Sequence, residues 1–309
     1  MNKKFCSVLV TFNRLGNLKR TLNAYENQTI YPDCMIIVDN ASTDGTKEFL
    51  DYWNSNQIIK FPRVLIHTDK NLGGAGGFSL GIKKALEFDC DYVFLADDDA
   101  VPYTDMFEKL LEFDGKIEQE EQVAALCTSV IDQFGFSSVQ RGRVKKGLFY
   151  IGRKNIKESE TQKEFFQVDY LTFVGAFVKR KTIEKIGLPI TEYFIHEDDA
   201  EYSTRIRKVG KIYCVSESKI FHPKGGLNTK NWIEFYTTRN QIDHIKRHYP
   251  RRYYYYMIFD RYVKKCSIAA ALLRKRSPAF RKMSMIAIKD GIKGKLGLHE
   301  VYRPGADIK

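Results

Sequence analysis

Short apolar runs alternate with segments of helical length over the first 130 residues of this chain. The apolar runs are rich in Val, Ile, Leu and Phe, and they predict strands at 5–10, 35–38, 64–67, 92–96 and 123–130. The segments between them predict helices at 15–27, 43–54, 76–88 and 104–113. Alternating strands and helices build a mostly parallel sheet with helices on both faces, so we expect an α/β fold.

Polar signatures follow four of the predicted strands at the point where each strand ends. They are Thr-Phe-Asn-Arg at 11–14, Asp-Asn-Ala-Ser at 39–42, Thr-Asp-Lys-Asn at 68–71 and Asp-Asp-Asp at 97–99. The carboxyl ends of parallel strands meet at one edge of a sheet, and ligands bind there. We therefore expect the four signatures to form one site.

Asp97, Asp98 and Asp99 directly follow the apolar run at 92–96. Three neighbouring carboxylates resist joint ionisation unless a positive charge offsets their repulsion. Hard oxygen ligands suit Mg²⁺ or Mn²⁺, which proteins bind through one or two carboxylates together with substrate phosphates. A solvated acidic turn is the alternative for an isolated run of this kind. The neighbouring polar strand ends favour a cation site.

A glycine-dense stretch, Asn-Leu-Gly-Gly-Ala-Gly-Gly at 71–77, follows the third predicted strand and opens a helix. Because glycine has no side chain, this backbone can approach a phosphate or a sugar closely. The stretch lacks the Gly-Lys-Ser/Thr ending of a P-loop, and Ser79 replaces the last glycine of the dinucleotide pattern GxGxxG. Taken alone, it fits a tight structural turn as well as a ligand site.

A second acidic cluster, His-Glu-Asp-Asp-Ala-Glu at 196–201, precedes residues with helical spacing. Carboxylates at the start of a helix complement its dipole, so capping is one explanation. Capping needs one or two acids, whereas this cluster has four beside a histidine. A carboxylate among other carboxylates has a raised proton affinity, which suits a general base. His222, at the end of a predicted strand, is either a metal ligand or a packed histidine.

The remainder of the chain is less regular. Residues 133–167 are polar and predict a variable loop or a short antiparallel insertion, a natural place for substrate selection. After it we expect an ordered segment at 168–179, a short helix at 181–186, strands at 212–215 and 219–222, and a polar, aromatic stretch at 232–248. Two helices, broken near Ser277 and Pro278, are expected after Arg251.

Composition indicates a soluble globular protein, with 43% hydrophobic and 28% charged residues. The six cysteines form no CxxC pair and have no zinc spacing, so we interpret them as small buried side chains in a reducing compartment. The first apolar run is too short for a signal core or a transmembrane helix. These features predict a cytoplasmic protein.

The net charge of +12 is concentrated near the C-terminus. From Lys246 onward there are 17 Lys and Arg residues against four Asp and Glu residues, and the preceding 245 residues are nearly neutral. Aromatic and aliphatic residues alternate with these basic residues, which suits helices lying on an anionic membrane. The alternatives are a helical region that packs on the preceding domain or on a sister subunit of a homo-oligomer, and a nucleic-acid-binding tail.

Five motifs, in this order along the chain, resemble those of inverting family-2 glycosyltransferases with the GT-A fold. They are 11–14, 38–42, 71–77, 96–100 and the acidic cluster at 197–199, and the resemblance covers about residues 4–245. Asn-Leu-Gly-Gly-Ala-Gly-Gly-Phe together with Ala-Asp-Asp-Asp-Ala is similar to the galactofuranosyltransferase-like branch, with bacterial rhamnosyltransferases as near relatives. The expected organisation is a GT-A catalytic domain at 1–245 and a basic, aromatic-rich helical region at 246–309.

The resemblance also implies roles for single residues. The donor-binding residues would be Thr11, Arg14, Asp39, Asn71, Gly73, Gly74, Asp97 and Asp98. Asp97, Asp99 and His222 would hold the Mn²⁺ or Mg²⁺ that bridges the donor diphosphate. Asp199 would be the base that deprotonates the acceptor hydroxyl, with Asp198 as the second candidate. The chain departs from galactofuranosyltransferase relatives at 196–197, where His-Glu replaces their frequent Lys-Trp.

In function, the resemblance implies a metal-dependent inverting glycosyltransferase of bacterial cell-surface polysaccharide synthesis. The expected donor is UDP-galactofuranose, with dTDP-rhamnose as the alternative, and the expected acceptor is a glycan or a lipid-linked saccharide. The basic C-terminal region would then bind the inner face of the cell membrane. A nucleic-acid-binding protein, the alternative from another class, would leave both acidic clusters without a role, so we expect no nucleic-acid partner.

Overall fold

The computed structural model describes residues 3–56, 60–117, 122–223, 231–267 and 276–306. The strands are β1 (Phe5–Thr11), β2 (Cys34–Asp39), β3 (Arg63–His67), β4 (Tyr92–Asp97), β5 (Val101–Pro102), β6 (Val123–Asp132), β7 (Gly135–Phe136), β8 (Arg141–Lys146), β9 (Ile151–Lys154), β10 (Phe165–Val168), β11 (Tyr170–Leu171), β12 (Ala176–Lys179) and β13 (Lys211–Phe221). The helices are α1 (Leu15–Glu26), α2 (Thr46–Asn56), α3 (Gly73–Ala85), α4 (Met106–Ile117), α5 (Glu158–Thr161), α6 (Arg180–Ile186), α7 (Asp198–Ile206), α8 (Asn231–His248), α9 (Arg251–Lys265) and α10 (Pro278–Lys293).

The main sheet has the strand order β10-β13-β6-β12-β4-β1-β2-β3, with β5 and β7 paired at its side to β13 and β6. Strands β1 to β4 are parallel to one another, and β6 is parallel to β13. Along this order, β12 and β10 run in the opposite direction. The mostly parallel α/β sheet expected from the sequence is therefore confirmed.

Helices cover both faces of this sheet because successive side chains of a strand point to opposite sides. Phe5 and Leu9 of β1 pack in one hydrophobic core with α1, α2 and α4. Val8 and Val10 of the same strand pack in a second core with α3, α6 and α7. A strand that is buried on both faces carries apolar residues at nearly every position, which explains why β1 is apolar from Phe5 to Val10 apart from Ser7.

Helix α3 packs so closely on the sheet that two of its glycines leave no room for a side chain. A Cβ on Gly77 would lie 2.6 Å from Cγ1 of Val10, and a Cβ on Gly81 would overlap Cγ1 of Val8. The helix begins at Gly73, three residues before the predicted start, because the glycine-dense stretch forms its first turn. Part of the glycine content therefore serves helix–sheet packing.

In the second half of the chain, the structure defines three elements more closely than the sequence did. Residues 133–167 contain the antiparallel insertion that was one of the two alternatives, with β8 pairing to β9 and β11. The two strands expected at 212–215 and 219–222 are one strand, β13, whose pairing with β6 shifts register between Val215 and Lys219. The polar, aromatic stretch at 232–248 is helix α8.

The C-terminal helices pack on the preceding part of the chain through two small cores. Phe280 of α10 shares a core with Phe235 of α8 and with Phe194, which lies just before α7. Tyr253 of α9 shares another core with Ile151 of the β8–β9 hairpin. The predicted division between residues 245 and 246 falls inside α8, and the separation into two domains stays a prediction.

The C-terminal helices, the cysteines and the hydropathy of the described helices were also predicted from the sequence. The second of the two expected C-terminal helices begins at Pro278 as predicted, and Ser277 caps it by accepting a hydrogen bond from the N–H of Phe280 at 3.2 Å. Helix α9 already ends at Lys265, and the expected course of the chain at 268–275 lies outside the described residues. All six cysteines are free and buried, as expected of small core side chains. Among the described helices, none is both long and apolar enough to cross a bilayer.

Replacing Gly81 with alanine is expected to destabilise the fold by about 1–3 kcal/mol, because the new methyl group overlaps Val8, which is fully buried. Gly115 in α4 is the matched control, since a Cβ there meets nothing within 4 Å. Gly115→Ala should stabilise the protein by about 0.5–1 kcal/mol. Chemical denaturation measures both changes, and equal effects of the two substitutions would contradict the close packing of α3.

Candidate active site

The ends of strands β1 to β4 meet at one edge of the sheet, where contacts between their side chains and loops join them. The hydroxyl of Thr11 donates to Oδ2 of Asp98 at 2.7 Å, which joins β1 to β4. The loops after β1 and β2 are joined because the N–H of Thr43 donates to Oδ1 of Asn13 at 2.7 Å. The ends of β2 and β3 are also in contact, since Nδ1 of His67 in β3 lies 3.1 Å from Oδ2 of Asp39 in β2. The four polar strand ends therefore lie together, as their position in the sequence indicated.

Asp97, Asp99 and His222 form a cluster in which one potential ligand atom from each residue lies within 4.8 Å of the others. His222 is far from the two aspartates in sequence, and strand pairing brings it to them. Strand β13 ends at Phe221, which pairs with Val101 of β5, just after the aspartate turn. As a result, Nε2 of His222 lies 3.1 Å from Oδ1 of Asp99.

This cluster has the properties of a site for a divalent cation. Burial and the negative charge of Asp99 raise the pKa of Asp97 to about 7, so a positive charge placed here would be stabilised. Oδ1 of Asp99 is buried, and in the described part of the chain its close neighbour is Nε2 of His222, at 3.1 Å. Two carboxylates and an imidazole fit Mn²⁺ or Mg²⁺, metals that also take phosphate oxygens as ligands.

Asp98, the middle aspartate, has a different environment. Its side chain is buried and accepts hydrogen bonds from the Thr11 hydroxyl at 2.7 Å and from the Arg14 guanidinium at 3.3 Å. The same guanidinium lies 2.8 Å from Asp99. Asp98 therefore anchors the end of β1 to the aspartate turn. The donor contacts assigned to Thr11, Arg14 and Asp98 stay predictions.

Asp39 and Asn71 hold the loops that follow their strands. Oδ1 of Asp39 accepts a hydrogen bond from the N–H of Ser42 at 3.0 Å, and its other oxygen contacts His67. Oδ1 of Asn71 accepts a hydrogen bond from the N–H of Gly73 at 2.7 Å. Both residues lie at the edge of the sheet that carries the aspartate turn, and their donor contacts also stay predictions.

Gly73 and Gly74, both predicted to bind the donor, have different surroundings. Gly73 has a φ of +72°, and a Cβ there would overlap the carbonyl oxygen of Phe194. The N–H of Ala75 donates to this same oxygen at 3.2 Å. The start of α3 is thus docked on the loop that precedes the second acidic cluster. Gly74, in contrast, has nothing within 4 Å of a Cβ, which leaves room for a ligand beside its backbone.

The loop at 194–197 has an unusual backbone. Phe194, His196 and Glu197 have φ values of +64°, +62° and +71°, a conformation that costs non-glycine residues about 1–3 kcal/mol each. Helix α8 holds this loop, because Nδ2 of Asn240 donates to three main-chain carbonyl oxygens within 193–196 at 2.8–3.1 Å. The second acidic cluster is therefore positioned by a contact between α8 and a strained loop.

Two of the four carboxylates of the second cluster are paired with histidines of α8. Nδ1 of His244 lies 2.9 Å from Oε1 of Glu197, and Nε2 of His248 lies 2.7 Å from Oε1 of Glu201. Burial is the largest single effect and opposes ionisation of Glu197, but the hydrogen bond and charge of His244, the charge of Arg153 and a hydrogen bond from Gln241 together lower the pKa of Glu197 to about 2. Arg205 also contacts Glu201, at 2.8 Å. These two glutamates therefore hold the second acidic cluster against α8.

Asp198 and Asp199 begin α7, and the pKa of each is raised above its usual value. Burial is the main cause for Asp198, and the negative charges of Asp199 and Asp97 add to it. Burial also raises the pKa of Asp199, while the positive charge of Arg153 opposes this effect. The charge of Asp97 in the cation cluster thus acts on Asp198, and the charge of Arg153 in the β8–β9 hairpin acts on Asp199. A carboxylate with raised proton affinity suits a general base.

No motif in the sequence marked the residues that hold the second cluster in place. Arg153 lies in the insertion at 133–167, where no periodic pattern marks it. Asn240, His244 and His248 lie in the stretch that was interpreted only as polar and aromatic. Their spacing of four residues was a usable signal, because polar residues at this spacing share one face of a helix.

Known proteins share the sequence pattern of this chain. The family model described as glycosyl transferase family 2 matches residues 6–187. Galactofuranosyltransferase GlfT1 of Mycolicibacterium smegmatis is 29% identical over 228 residues, which cover 71% of this chain and 71% of that protein. O-antigen chain rhamnosyltransferase WbaN of Salmonella anatum is 21% identical over 238 residues, which cover 76% of this chain and 70% of that protein.

Solved structures share the fold. The crystal structure of GalNAc-T7 with UDP, GalNAc and Mn²⁺ has a TM-score of 0.65 at 15% identity, covering 94% of this chain and 56% of that chain. Mannosyltransferase PcManGT from Pyrobaculum calidifontis, in complex with GDP-Man and Mn²⁺, has a TM-score of 0.58 at 16% identity, covering 95% and 76%. This chain thus spans little more than half of the GalNAc-T7 structure.

These structures confirm the expected GT-A fold. Since the family model matches more than half of the residues, the chain is a transferase that belongs to glycosyl transferase family 2.

Proposed function

We propose that the protein is a metal-dependent inverting glycosyltransferase that transfers galactofuranose from UDP-galactofuranose to a glycan or lipid-linked acceptor of cell-surface polysaccharide. One observation carries this proposal: beside the cluster of Asp97, Asp99 and His222, two further carboxylates begin α7, and the charge of Asp97 raises the pKa of the buried Asp198. Sugar transfer needs a neutralised leaving diphosphate and a deprotonated acceptor hydroxyl. These two groups of residues can meet the two needs separately.

Similarity to known enzymes supports the choice of donor sugar, and the ends of the parallel strands indicate where its nucleotide would bind. GlfT1, a galactofuranosyltransferase, is 29% identical over most of this chain. The alternative donor, dTDP-rhamnose, is supported by the lower similarity to the rhamnosyltransferase WbaN. The nucleotide would bind over the ends of β1 to β4, beside Arg14, Asp39 and Asn71, with the open backbone at Gly74 available to phosphate or sugar.

The reaction would be a single displacement. Asp199 takes the proton of the acceptor hydroxyl, whose oxygen attacks the anomeric carbon while the bond from that carbon to the diphosphate breaks, so that configuration inverts. Asp198 is the second candidate for this base. Asn240 and the paired Glu197 keep the start of α7 in position during the transfer. A Mn²⁺ or Mg²⁺ ion held by Asp97, Asp99 and His222 would supply the positive charge that stabilises the departing diphosphate.

Loss of the cation is expected to weaken donor binding by about tenfold or more, because charge-assisted contacts to the diphosphate disappear. Asp97→Asn and Asp99→Asn should have the same effect as a chelator. Asp89→Asn is the control, since its side chain is 91% exposed and paired with Lys4. The measurement is thermal stabilisation and donor hydrolysis with UDP-galactofuranose and dTDP-rhamnose, in Mn²⁺ or in chelator. An undiminished rate of donor use in chelator would contradict metal dependence.

Asp199→Asn is expected to lower kcat for sugar transfer by about 10²–10⁴-fold, because the amide cannot accept the proton of the acceptor. UDP binding in Mn²⁺ should change little, since the substitution keeps the shape of the side chain. Asp198→Asn is the matched comparison, with the same change one residue earlier in α7. Near-normal transfer by the Asp199 variant, together with loss of transfer in the Asp198 variant, would assign the base to Asp198 instead.

We further propose that the protein lies on the inner face of the cell membrane, through a surface that combines the β8–β9 hairpin with α9. Tyr255, Phe259 and Tyr262 share one face of α9 and are 62%, 63% and 53% exposed. Leu148 and Phe149, at the tip of the hairpin, are 71% and 53% exposed. We call these five residues the aromatic surface.

Contacts and charge support this membrane-binding surface. The hairpin tip lies beside α9, since the hydroxyl of Tyr253 donates to the carbonyl oxygen of Gly147 at 3.1 Å. Exposed basic residues flank the aromatic surface on both elements: Lys145, Lys146, Arg251, Arg252 and Lys264. Aromatic rings favour the membrane interface, and each nearby cation adds about 1 kcal/mol of attraction to anionic lipid.

The double variant Tyr255→Ser/Phe259→Ser is expected to lose most binding to phosphatidylglycerol vesicles in flotation, because two interfacial rings are removed. Tyr52→Ser is the control, at a tyrosine of α2 that is 60% exposed. Point variants are preferable to deletion of 251–309, since α9 and α10 share cores with α8. Flotation equal to that of the unchanged protein would refute the proposal. If light scattering shows a dimer for the unchanged protein and a monomer for the double variant, the surface is a contact between subunits instead.

A further inference from the structure

A cavity of about 300 Å³ lies between the β8–β9 hairpin and helices α7, α8 and α9. Glu197 forms part of its wall, so the cavity adjoins the second acidic cluster. Among the described residues that line it, none comes from the ends of β1 to β4, where the nucleotide is proposed to bind. The cavity therefore adjoins the second acidic cluster and is separate from the strand ends where the nucleotide is proposed to bind.

Tyrosines form a large part of the cavity wall. They are Tyr150, Tyr170, Tyr249, Tyr253 and Tyr256. The hydroxyl of Tyr170 donates to the carbonyl oxygen of Ser138 at 3.1 Å, and that of Tyr253 to Gly147, so main-chain contacts fix both rings. A wall of aromatic rings with a few polar groups suits a ligand that has apolar faces and a polar edge, which describes a sugar ring.

The charges around the cavity are unbalanced. The charged lining residues are Arg153, Arg207, Arg261, Lys264, Glu197 and Asp260. The two acids are already engaged: Glu197 contacts His244 at 2.9 Å, and Asp260 contacts the two basic residues of α9 at 3.0 and 2.5 Å. Arg153 and Arg207 each lie 4.0 Å from a carboxylate oxygen, which is longer than a hydrogen bond. Positive charge therefore predominates in the cavity.

Two guanidinium groups of the wall have buried nitrogen atoms that donate to no acceptor in the described structure. These atoms are Nε of Arg207 and Nε of Arg261. A buried donor without an acceptor costs about 1–3 kcal/mol. Guanidinium groups bind phosphate or carboxylate through two N–H groups at once. Both Nε atoms are closed to solvent, so an anionic ligand would bind the outer Nη groups of the arginines instead.

Arg153 links this cavity to the candidate base. Its guanidinium lies 4.0 Å from Oε2 of Glu197 and stacks over the ring of Tyr170, with 4.4 Å between the guanidinium carbon and the ring centre. The charge of Arg153 also acts on Asp199 and opposes the rise in its pKa. A ligand bound at Arg153 would therefore lie beside Glu197, two residues before Asp199.

We propose that this cavity binds the acceptor as an anionic saccharide, with the sugar ring against the tyrosines and the phosphate or carboxylate group on Arg153 and Arg207. The inference rests on the function proposed above and adds the chemical class of the acceptor. It gives the insertion at 133–167 a role in substrate selection, since Arg153 and Tyr150 both belong to it.

The test is a ligand-observed NMR titration of the full chain, loaded with UDP and Mg²⁺ so that the nucleotide pocket is filled. The probes are glucose 1-phosphate, glucuronate and glucose. At least one anionic probe should bind about tenfold more tightly than glucose, as expected for one charged hydrogen bond. Preference between the two anionic probes shows whether the acceptor carries a phosphate or a carboxylate.

Arg153→Gln and Arg207→Gln should each weaken binding of the anionic probe by about tenfold, because each removes a charged contact. Arg20→Gln, which removes the same charge from the exposed side of α1, should leave probe binding unchanged. Tyr256→Leu is a second, independent test and should weaken binding of all three probes. Thermal denaturation of each variant verifies that it is folded.

Three results would overturn the inference: no binding of any probe, equal binding of charged and neutral probes, or anion binding that survives both arginine substitutions. None of these results bears on donor use, which is measured with nucleotide sugars alone. A wild-type protein that binds no nucleotide sugar would instead overturn the proposed function.

Discussion

The contact between α8 and the loop at 194–197 is the interaction on which the arrangement of the site depends. Left-handed backbone at non-glycine residues is unfavourable, because the side chain crowds the following carbonyl group. The three hydrogen bonds from Asn240 and the pairing of His244 with Glu197 offset this cost. The same loop receives the start of α3 through the carbonyl oxygen of Phe194. One helix thereby positions α7 relative to the sheet.

Environment divides the many carboxylates of the site into groups with different properties. Glu197 and Glu201 each have an imidazole partner, and they brace the site as ionised side chains. Asp97 and Asp99 are close to each other and incompletely neutralised, which favours a cation between them. The two aspartates that begin α7 lie near other negative charges, and the pKa of each is raised, so they hold protons more strongly. Burial and spacing, rather than residue type, separate these properties.

The C-terminal helices are integrated with the site. Helix α10 packs on α8 and on Phe194, at the start of the strained loop. Helix α9 lines the cavity beside Glu197 and also carries the exposed rings of the aromatic surface. The β8–β9 hairpin contributes to the same two features, since Tyr150 lines the cavity and its neighbour Phe149 is exposed. The proposed membrane surface and the proposed acceptor cavity are thus adjacent, as an enzyme with a lipid-linked acceptor requires.

The sequence alone determined the α/β class, the meeting of four polar strand ends and the family, because periodic apolar runs and strand-end motifs are local patterns. It also singled out Asp97, Asp99 and His222, although only the pairing of Phe221 with Val101 explains how they meet. Tertiary structure alone decided which acids are paired and that glycines of α3 serve packing. It also decided that Arg153 lies 4.0 Å from Glu197, where its charge acts on Asp199. These features depend on contacts between distant segments, and no spacing along the chain records such contacts.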